Sequence, residues 1–314
     1  MKFKKVKAFA PASIANLGVG FDVLGVALQQ LGDIVIAKST SHREFNFTLK
    51  TQIEAVPTST KDNIAAYVAE NMMRELKIPF GIDLELHKLM PIGSGLGSSG
   101  ASAVAAAMAV NALLSKPLKK IDLLPFVIEG EKKASGAMHA DNVAPSLLGG
   151  ACIIRPPICD VIPFSVHRSL VWVVIRPHMS IATAFARTVL PETVSLPKVT
   201  EQLGNISGFL LGLISGDAHL IRKCMVDHIA EPVRSPFIPG FAAVKAAAIK
   251  AGALGCGISG SGPALFAITK SKTIANRVAK KMINTLQNVA ELKADYYISR
   301  TNVIGAHILK ESKA

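Results

Sequence analysis

Met90-Pro91-Ile92-Gly93-Ser94-Gly95-Leu96-Gly97-Ser98-Ser99-Gly100-Ala101-Ser102 runs directly into Ala103 to Leu114, a stretch of alanine and aliphatic residues. The glycines let the backbone fold tightly, and the alanines behind them form a helix. A loop built this way turns several N–H groups toward one point. The helix adds the positive end of its dipole, so phosphate is the expected guest. Ser98 follows the turn immediately, where its hydroxyl is placed to ligate a Mg2+ that bridges two phosphates.

Other phosphate loops fit less well. Residues 95–100 formally spell GxGxxG, but a dinucleotide fold needs that string in its first strand–helix unit, with an acidic residue about 20 positions on. Here the loop lies mid-domain, and Asp122, at that distance, opens a predicted helix beside Lys119 and Lys120. The string GxxxxGK[ST] does not occur in the chain. The phosphate contacts therefore fall to backbone amides and serine hydroxyls.

The 314 residues suffice for two domains with substantial cores, and half of them are hydrophobic. A formal charge of +13 draws anions, nucleotides among them, although much of it is ordinary solvated surface. The densest basic group is Lys2, Lys4, Lys5 and Lys7. One Trp and three Tyr, none interleaved with basic runs, argue against a nucleic-acid-binding protein. Cys152, Cys159, Cys224 and Cys256 form no CxxC pair and read as reduced core thiols of a cytoplasmic protein. No signal peptide is visible. The uncharged run from Pro91 to Ser115 is too rich in glycine and serine to span a membrane, so no membrane partner is expected.

Periodicity predicts strands at Val6–Phe9, Val23–Leu28, Ile34–Ala37, Phe45–Leu49 and Ile82–Leu86, with a turn at Gly32-Asp33 and a loop over 12–20. Asp62 is read as the cap of a helix reaching Lys77, and further helices are expected at 101–114 and 122–133. Arg155-Pro156-Pro157 and Pro163 suggest a boundary, giving domains 1–155 and 156–314. Beyond it come a buried strand at Leu170–Ile175 and helices near 183–188, 204–216, 219–227 and 241–251. A second glycine turn at 255–263, a strand at 264–268, a helix at 274–286 and a closing strand at 302–309 complete the chain. Strands and helices in mixed order point to an α+β fold with mixed or antiparallel sheets covered by helices.

Three stretches in chain order resemble the GHMP small-molecule kinases: Pro11-Ala12-Ser13-Ile14-Ala15-Asn16-Leu17-Gly18-Val19-Gly20-Phe21-Asp22, the Pro91–Ser99 loop, and Gly257-Ile258-Ser259-Gly260-Ser261-Gly262-Pro263. Together they cover the chain end to end. Ala15–Asp22 and His139-Ala140-Asp141-Asn142-Val143-Ala144-Pro145 are similar to the substrate signatures of the family branch that acts on L-homoserine. Mevalonate and galactose kinases share the loop but not this pair. The resemblance implies a two-domain fold whose second domain is a ferredoxin-like α+β unit, an active site in the groove between the domains, and often a homodimer. It implies ATP-dependent phosphorylation of the L-homoserine hydroxyl, yielding O-phosphohomoserine for threonine synthesis. Another small alcohol, such as mevalonate or shikimate, is the alternative substrate.

Carried over residue by residue, the resemblance puts ATP on Pro91 to Ala101, with Asn63 and Lys88 near the adenine end and Gly260 and Ser261 beside the loop. It makes Ser98 and Glu131 the Mg2+ pair and the catalytic centre. Glu129 is a rival for the metal, but positions two apart on a helix face different ways and only one carboxylate reaches it. Thr183, Arg187 and Arg234 match positions around the substrate, the arginines suiting its carboxylate. Asp22 would attract the ammonium, and Asn16, His139 and Asn142 would supply hydrogen bonds. No base is evident: Asp141 lies nearby, and the hydroxyl proton is expected to pass to the γ-phosphate itself.

Overall fold

The structure, a computed structural model, describes residues 4–136, 139–156 and 160–313. Lys2, Pro157 and Cys159 lie outside the described residues. The first half contributes β1 (Lys4–Ala15), β2 (Leu24–Thr40), β3 (Phe45–Thr51), α1 (Ile64–Glu75), β4 (Gly81–Lys88), α2 (Ser98–Leu113), α3 (Leu124–Ser135), α4 (Val143–Leu148), β5 (Ala151–Arg155) and β6 (Asp160–Phe164). The second contributes β7 (Val171–Pro177), α5 (Thr183–Thr188), α6 (Leu196–Ser215), α7 (Ala218–Cys224), α8 (Glu231–Arg234), α9 (Phe241–Lys250), β8 (Gly255–Ile258), β9 (Leu265–Thr269), α10 (Lys272–Ala290), β10 (Ala294–Ser299) and β11 (His307–Lys313).

Two sheets result, and the fold is α+β as expected. One has seven strands in the order β11-β1-β2-β4-β3, with β5 pairing both β2 and β6; only the β3–β4 pair is parallel. The other is an antiparallel sheet, β10-β7-β9-β8, in which the chain runs strand, helices, strand, strand, helix, strand. The division at 155/156 does not follow the sheets. β6 pairs with β5, and the closing strand β11 returns to pair with β1. Pro163 sits within β6 without breaking it, because β6 is an edge strand that can do without one N–H.

Two local expectations fail for a shared reason. The strand expected over Val6–Phe9 runs on to Ala15, and the turn expected at Gly32-Asp33 does not form, because β2 is continuous. The register jumps from Pro11↔Gly32 to Ser13↔Ala27, so the ladder is interrupted where Pro11 has no N–H to give. The extra residues of β2 bulge out, with Gln30 at φ 66°, and are held by β10 and the residues after it: Gln29 N–H donates to Ser299 Oγ at 2.7 Å. At Gly32 a Cβ would stand 2.1 Å from the Ala10 carbonyl oxygen, so only glycine permits this approach. Asp33 is thereby carried into the interior rather than to a turn.

Three apolar clusters hold the molecule. One lies between the large sheet and α1 to α4, another between the small sheet and α9 and α10. A third joins the halves, packing Ile14, Leu24 and Leu28 against Trp172, Phe266 and Phe209. Helix α2 is apolar all round, with 14 of its residues buried, and serves as the central pillar. Cys152, Cys224 and Cys256 are buried free thiols, and no helix among the described residues is long and apolar enough to cross a membrane.

Candidate active site

The joining cluster brings three chain segments to one rim. The loop after β4 lies against the β8–β9 turn: Ser259 Oγ donates to Gly95 O at 2.6 Å and Ala264 N–H to Ser94 O at 3.2 Å. The carbonyls of Gly93, Leu96 and Gly97 accept from the N–H groups of Ile181, Ser13 and Ala101. Every carbonyl from Gly93 to Gly97 is thus tied back into the protein. Among the described residues, the N–H groups of Gly95, Leu96 and Gly97 donate to nothing. Gly97 caps α2 in a left-handed conformation, φ 64°, without a side-chain cap. A Cβ there would meet Ser13 Oγ at 2.2 Å and Asn142 Oδ1 at 2.6 Å, so the position demands glycine. The first turn of α2 is left with amides that no capping side chain answers.

The rim encloses a cavity of about 430 Å3, within the range of small-ligand sites. It is lined by most of the expected residues: Asn16, Asp22, Asn63, Lys88, Ile92 to Gly95, Gly97 to Ser99, Glu131, His139, Asn142, Thr183, Arg187, Arg234, Gly260 and Ser261. Pro91, Leu96, Gly100 and Ala101 do not line it. Leu96 and Ala101 instead turn into the joining core and hold the loop from behind.

Several residues stand in the cavity wall in roles different from those expected. Lys88 does not reach outward to a base. It is buried, ion-paired to the fully buried Asp33, and donates to Ser98 O at 2.8 Å and Ser102 Oγ at 2.9 Å. All three ammonium hydrogens are committed. Asp33 Oδ1 accepts from Leu89 and Met90 N–H at 2.9 and 3.1 Å, so this pair clasps the loop where it leaves β4 and where it enters α2. Burial lowers the Lys88 pKa, and Asp33 opposes that shift. Asn63, not Asp62, caps α1, accepting from Ala65 and Ala66 N–H and donating to Pro57 O. Asn16 holds its own loop through φ 66°, accepting from Asp22 N–H and donating to Gly260 O, both at 2.9 Å.

The carboxylates at the cavity's middle separate cleanly. Glu129 turns to α1, accepting from Asn71 Nδ2 at 2.8 Å and Tyr67 OH at 3.2 Å. Glu131 faces the cavity, hydrogen-bonded to Ser99, and its pKa is pushed up to about 7 by burial, against the pull of Ser99 and Lys88. Asp141, which the sequence left without a role, lines the same wall. Its pKa also rises to about 7, through burial first and then through the charges of Asp22 and Glu131. Among the described residues, Asp141 Oδ1 is buried with no hydrogen-bond partner, as is Ser94 Oγ. Hard oxygens aimed into one space, two of them on carboxylates, suit a small divalent cation that also takes phosphate oxygens. No cluster of three or more His, Cys, Asp or Glu side chains capable of holding a metal alone occurs among the described residues.

The far end is charged. Arg187 pairs with Asp22 through Nη2, at 2.7 and 2.9 Å from its two oxygens, and donates through Nε to His139 Nε2 at 3.0 Å. Arg234 is buried and donates from Nε to Ala186 O and from Nη1 to Gly260 O, both at 3.1 Å. Both guanidiniums lie over the Phe21 ring, 5.7 and 5.2 Å from its centroid. Burial holds the His139 pKa down, and the two arginines add to that effect against Asp22, so the ring is neutral near pH 7. Thr183 sits beside Ser261, their hydroxyls 3.4 Å apart.

Comparison with known proteins agrees with this construction. GHMP kinases N terminal domain matches residues 63–150, and GHMP kinases C terminal matches residues 209–288. A homoserine kinase of Chlorobium phaeobacteroides (strain BS1) is 42% identical over 98% of this chain and 100% of its own length. The chain belongs to the homoserine kinase family of GHMP kinases. The crystal structure of homoserine kinase from Cytophaga hutchinsonii superposes with a TM-score of 0.92 at 41% identity, covering 97% of each chain. A galactokinase of Lactococcus lactis, only 14% identical over 99% of this chain and 95% of its own, shares the fold with a TM-score of 0.72.

Proposed function

We propose that the chain transfers the γ-phosphoryl group of ATP to the side-chain hydroxyl of L-homoserine, giving O-phospho-L-homoserine and ADP. One observation supports this above the others. A single cavity is lined at one end by Gly95 and Gly97, where the N–H groups of Gly95 to Gly97 are unused among the described residues, and at the other by Asp22, Arg187 and Arg234. The first end suits a polyphosphate, and the second suits a ligand carrying both a carboxylate and an ammonium.

The loop amides and the first turn of α2 hold the triphosphate, with Thr183, Gly260 and Ser261 along its edge. Val56, Pro57 and Ile64, apolar residues of the same wall, receive the base. Ser98 and Glu131 would hold Mg2+, which neutralises phosphate charge when bound. The Ser98 hydroxyl donates to Met90 O at 3.1 Å, which leaves its oxygen lone pairs for an electrophile. Arg187 and Arg234 orient the substrate carboxylate, and Asp22 the ammonium. His139 and Asn142 complete the walls, while Asn16 acts by fixing the loop that carries Asp22.

Asp141 Oδ1 accepts a hydrogen bond from the substrate hydroxyl and aims it at the phosphorus. The new O–P bond forms as the bond to the β-phosphate breaks, and the hydroxyl proton passes to the transferred phosphoryl group. Positioning and charge neutralisation carry the rate. Mevalonate and shikimate carry a carboxylate but no ammonium, so they would use only the arginines of this end. The reading includes a homodimer in the cytoplasm. Leu196, Leu203, Leu211 and Ile214, exposed along α6, are apolar surface that such a dimer would cover, and sedimentation of the purified protein tests it.

The activity test is ADP release with L-homoserine, mevalonate and shikimate, each with and without Mg2+. Turnover of homoserine alone, dependent on Mg2+, is expected. Turnover of another alcohol in its place would overturn the assignment.

A further inference from the structure

The geometry points to a carboxylate-gated ammonium site: Asp22 is neutralised by Arg187 and becomes free for an ammonium only when a ligand carboxylate takes Arg187 from it. This rests on the reading of the cavity as a site for an amino-acid alcohol.

The two expected substrate-charge groups satisfy each other. Both Asp22 oxygens lie within 2.9 Å of Arg187 Nη2, and the side chains are only 30% and 31% exposed. Asp22 is held in place by its left-handed backbone, φ 57°, and by its N–H bond to Asn16. Arg234 differs. Its Nε and Nη1 donate to backbone carbonyls, and among the described residues no carboxylate comes within ion-pair distance of it. This end of the cavity therefore holds one closed ion pair and one guanidinium with no ion-pair partner among the described residues, both guanidiniums lying over the Phe21 ring.

Selection by such a site is asymmetric. An amine without a carboxylate must displace Arg187 from Asp22, leaving two guanidiniums uncompensated in a half-buried cavity, which is strongly unfavourable. A carboxylate without an amine can settle on Arg234 and leave the Asp22–Arg187 pair closed. A zwitterion replaces one internal pair by two external ones. Losing the carboxylate is then the graver loss, and discrimination comes from the charge left unpaired.

The test measures kcat/KM by ADP release for L-homoserine, 4-hydroxybutyrate and 3-aminopropan-1-ol. The wild type is compared with Arg187→Met and Asp22→Asn, and calorimetric ADP binding confirms a folded cavity in each variant. The wild type should use 4-hydroxybutyrate better than 3-aminopropan-1-ol. Arg187→Met should lower homoserine use yet raise use of 3-aminopropan-1-ol roughly tenfold, as expected when a competing ion pair is removed. Asp22→Asn should lower homoserine use yet raise use of 4-hydroxybutyrate, because both arginines are then available. A merely structural role, or simple loss of a contact, would lower every substrate together. If each variant lowers its analogue in parallel with homoserine, the gate is overturned. A wild type that ignores homoserine but phosphorylates mevalonate or shikimate overturns the substrate reading instead. Should one variant fail to bind ADP, the other decides alone.

Discussion

At the loop end of the cavity, backbone dominates: the carbonyls of Gly93 to Gly97 are tied back, the N–H groups of Gly95 to Gly97 donate to nothing among the described residues, and the Lys88–Asp33 ion pair lies behind the loop. At the charged end, side chains dominate: Asp22, His139, Arg187 and Arg234 come from four separate segments and meet in the cavity wall, Arg234 buried and Asp22 and Arg187 partly exposed. The contrast follows from the ligands. A triphosphate is a diffuse anion that many fixed dipoles can hold without a counter-charge, whereas a small zwitterion is told from its neighbours by two localised charges. The first end depends on conformation, the second on charge balance.

The comparison can be broken at its middle first. Glu131→Gln removes a carboxylate from the cavity wall and should lower kcat roughly a hundred- to a thousandfold in ADP-release assays. Glu129→Gln, which touches only the α1–α3 packing, should leave kcat near wild type. Next comes the clasp behind the loop. Lys88→Met strands Asp33 without its counter-ion, and should lower the free energy of unfolding by about 3–5 kcal/mol in urea titration. The Lys88→Met/Asp33→Asn double variant should recover much of that loss, since a neutral amide still bridges toward Leu89 and Met90. At the other end, Arg234→Leu should raise the homoserine KM by roughly a hundredfold and leave kcat within about threefold, a split that marks binding of the substrate rather than chemistry.

The smallest effect is on stability against pH. Asp141 and Glu131 have folded pKa values near 7, above their ordinary values. The folded protein therefore keeps protons that the unfolded chain releases. That contribution is present in full at pH below the ordinary carboxylate range and is lost as pH rises through 7. Without ligands, the melting temperature should fall by a few degrees between pH 6 and pH 8, and Asp141→Asn should flatten the slope.

How much of this was legible in the sequence differs between the ends. The glycine loop declared itself, because glycines at tight spacing before an alanine helix have few uses, and the loop stands where it was expected. Lys88 could not be read, because its partner Asp33 lies 55 residues away on a strand that was split by a turn at that very position. The local pattern Leu31-Gly32-Asp33 looks like a turn, and only the pairing of Gly32 with Pro11 makes it a strand. Asn63 against Asp62 as the α1 cap is a one-residue choice that the loop's tertiary path decides. At the charged end, nothing in the spacing of Asp22, His139, Arg187 and Arg234 brings them together; resemblance alone placed them around one ligand. Even that did not reveal that Asp22 and Arg187 bind each other.

The most direct test of the central claim is a crystal structure with a non-hydrolysable ATP analogue and L-homoserine. The account predicts phosphate oxygens accepting from the N–H groups of Gly95 to Ser99, with the amino acid's carboxylate on Arg187 and Arg234. Nucleotide bound elsewhere, with those N–H groups bonded within the protein, would contradict it.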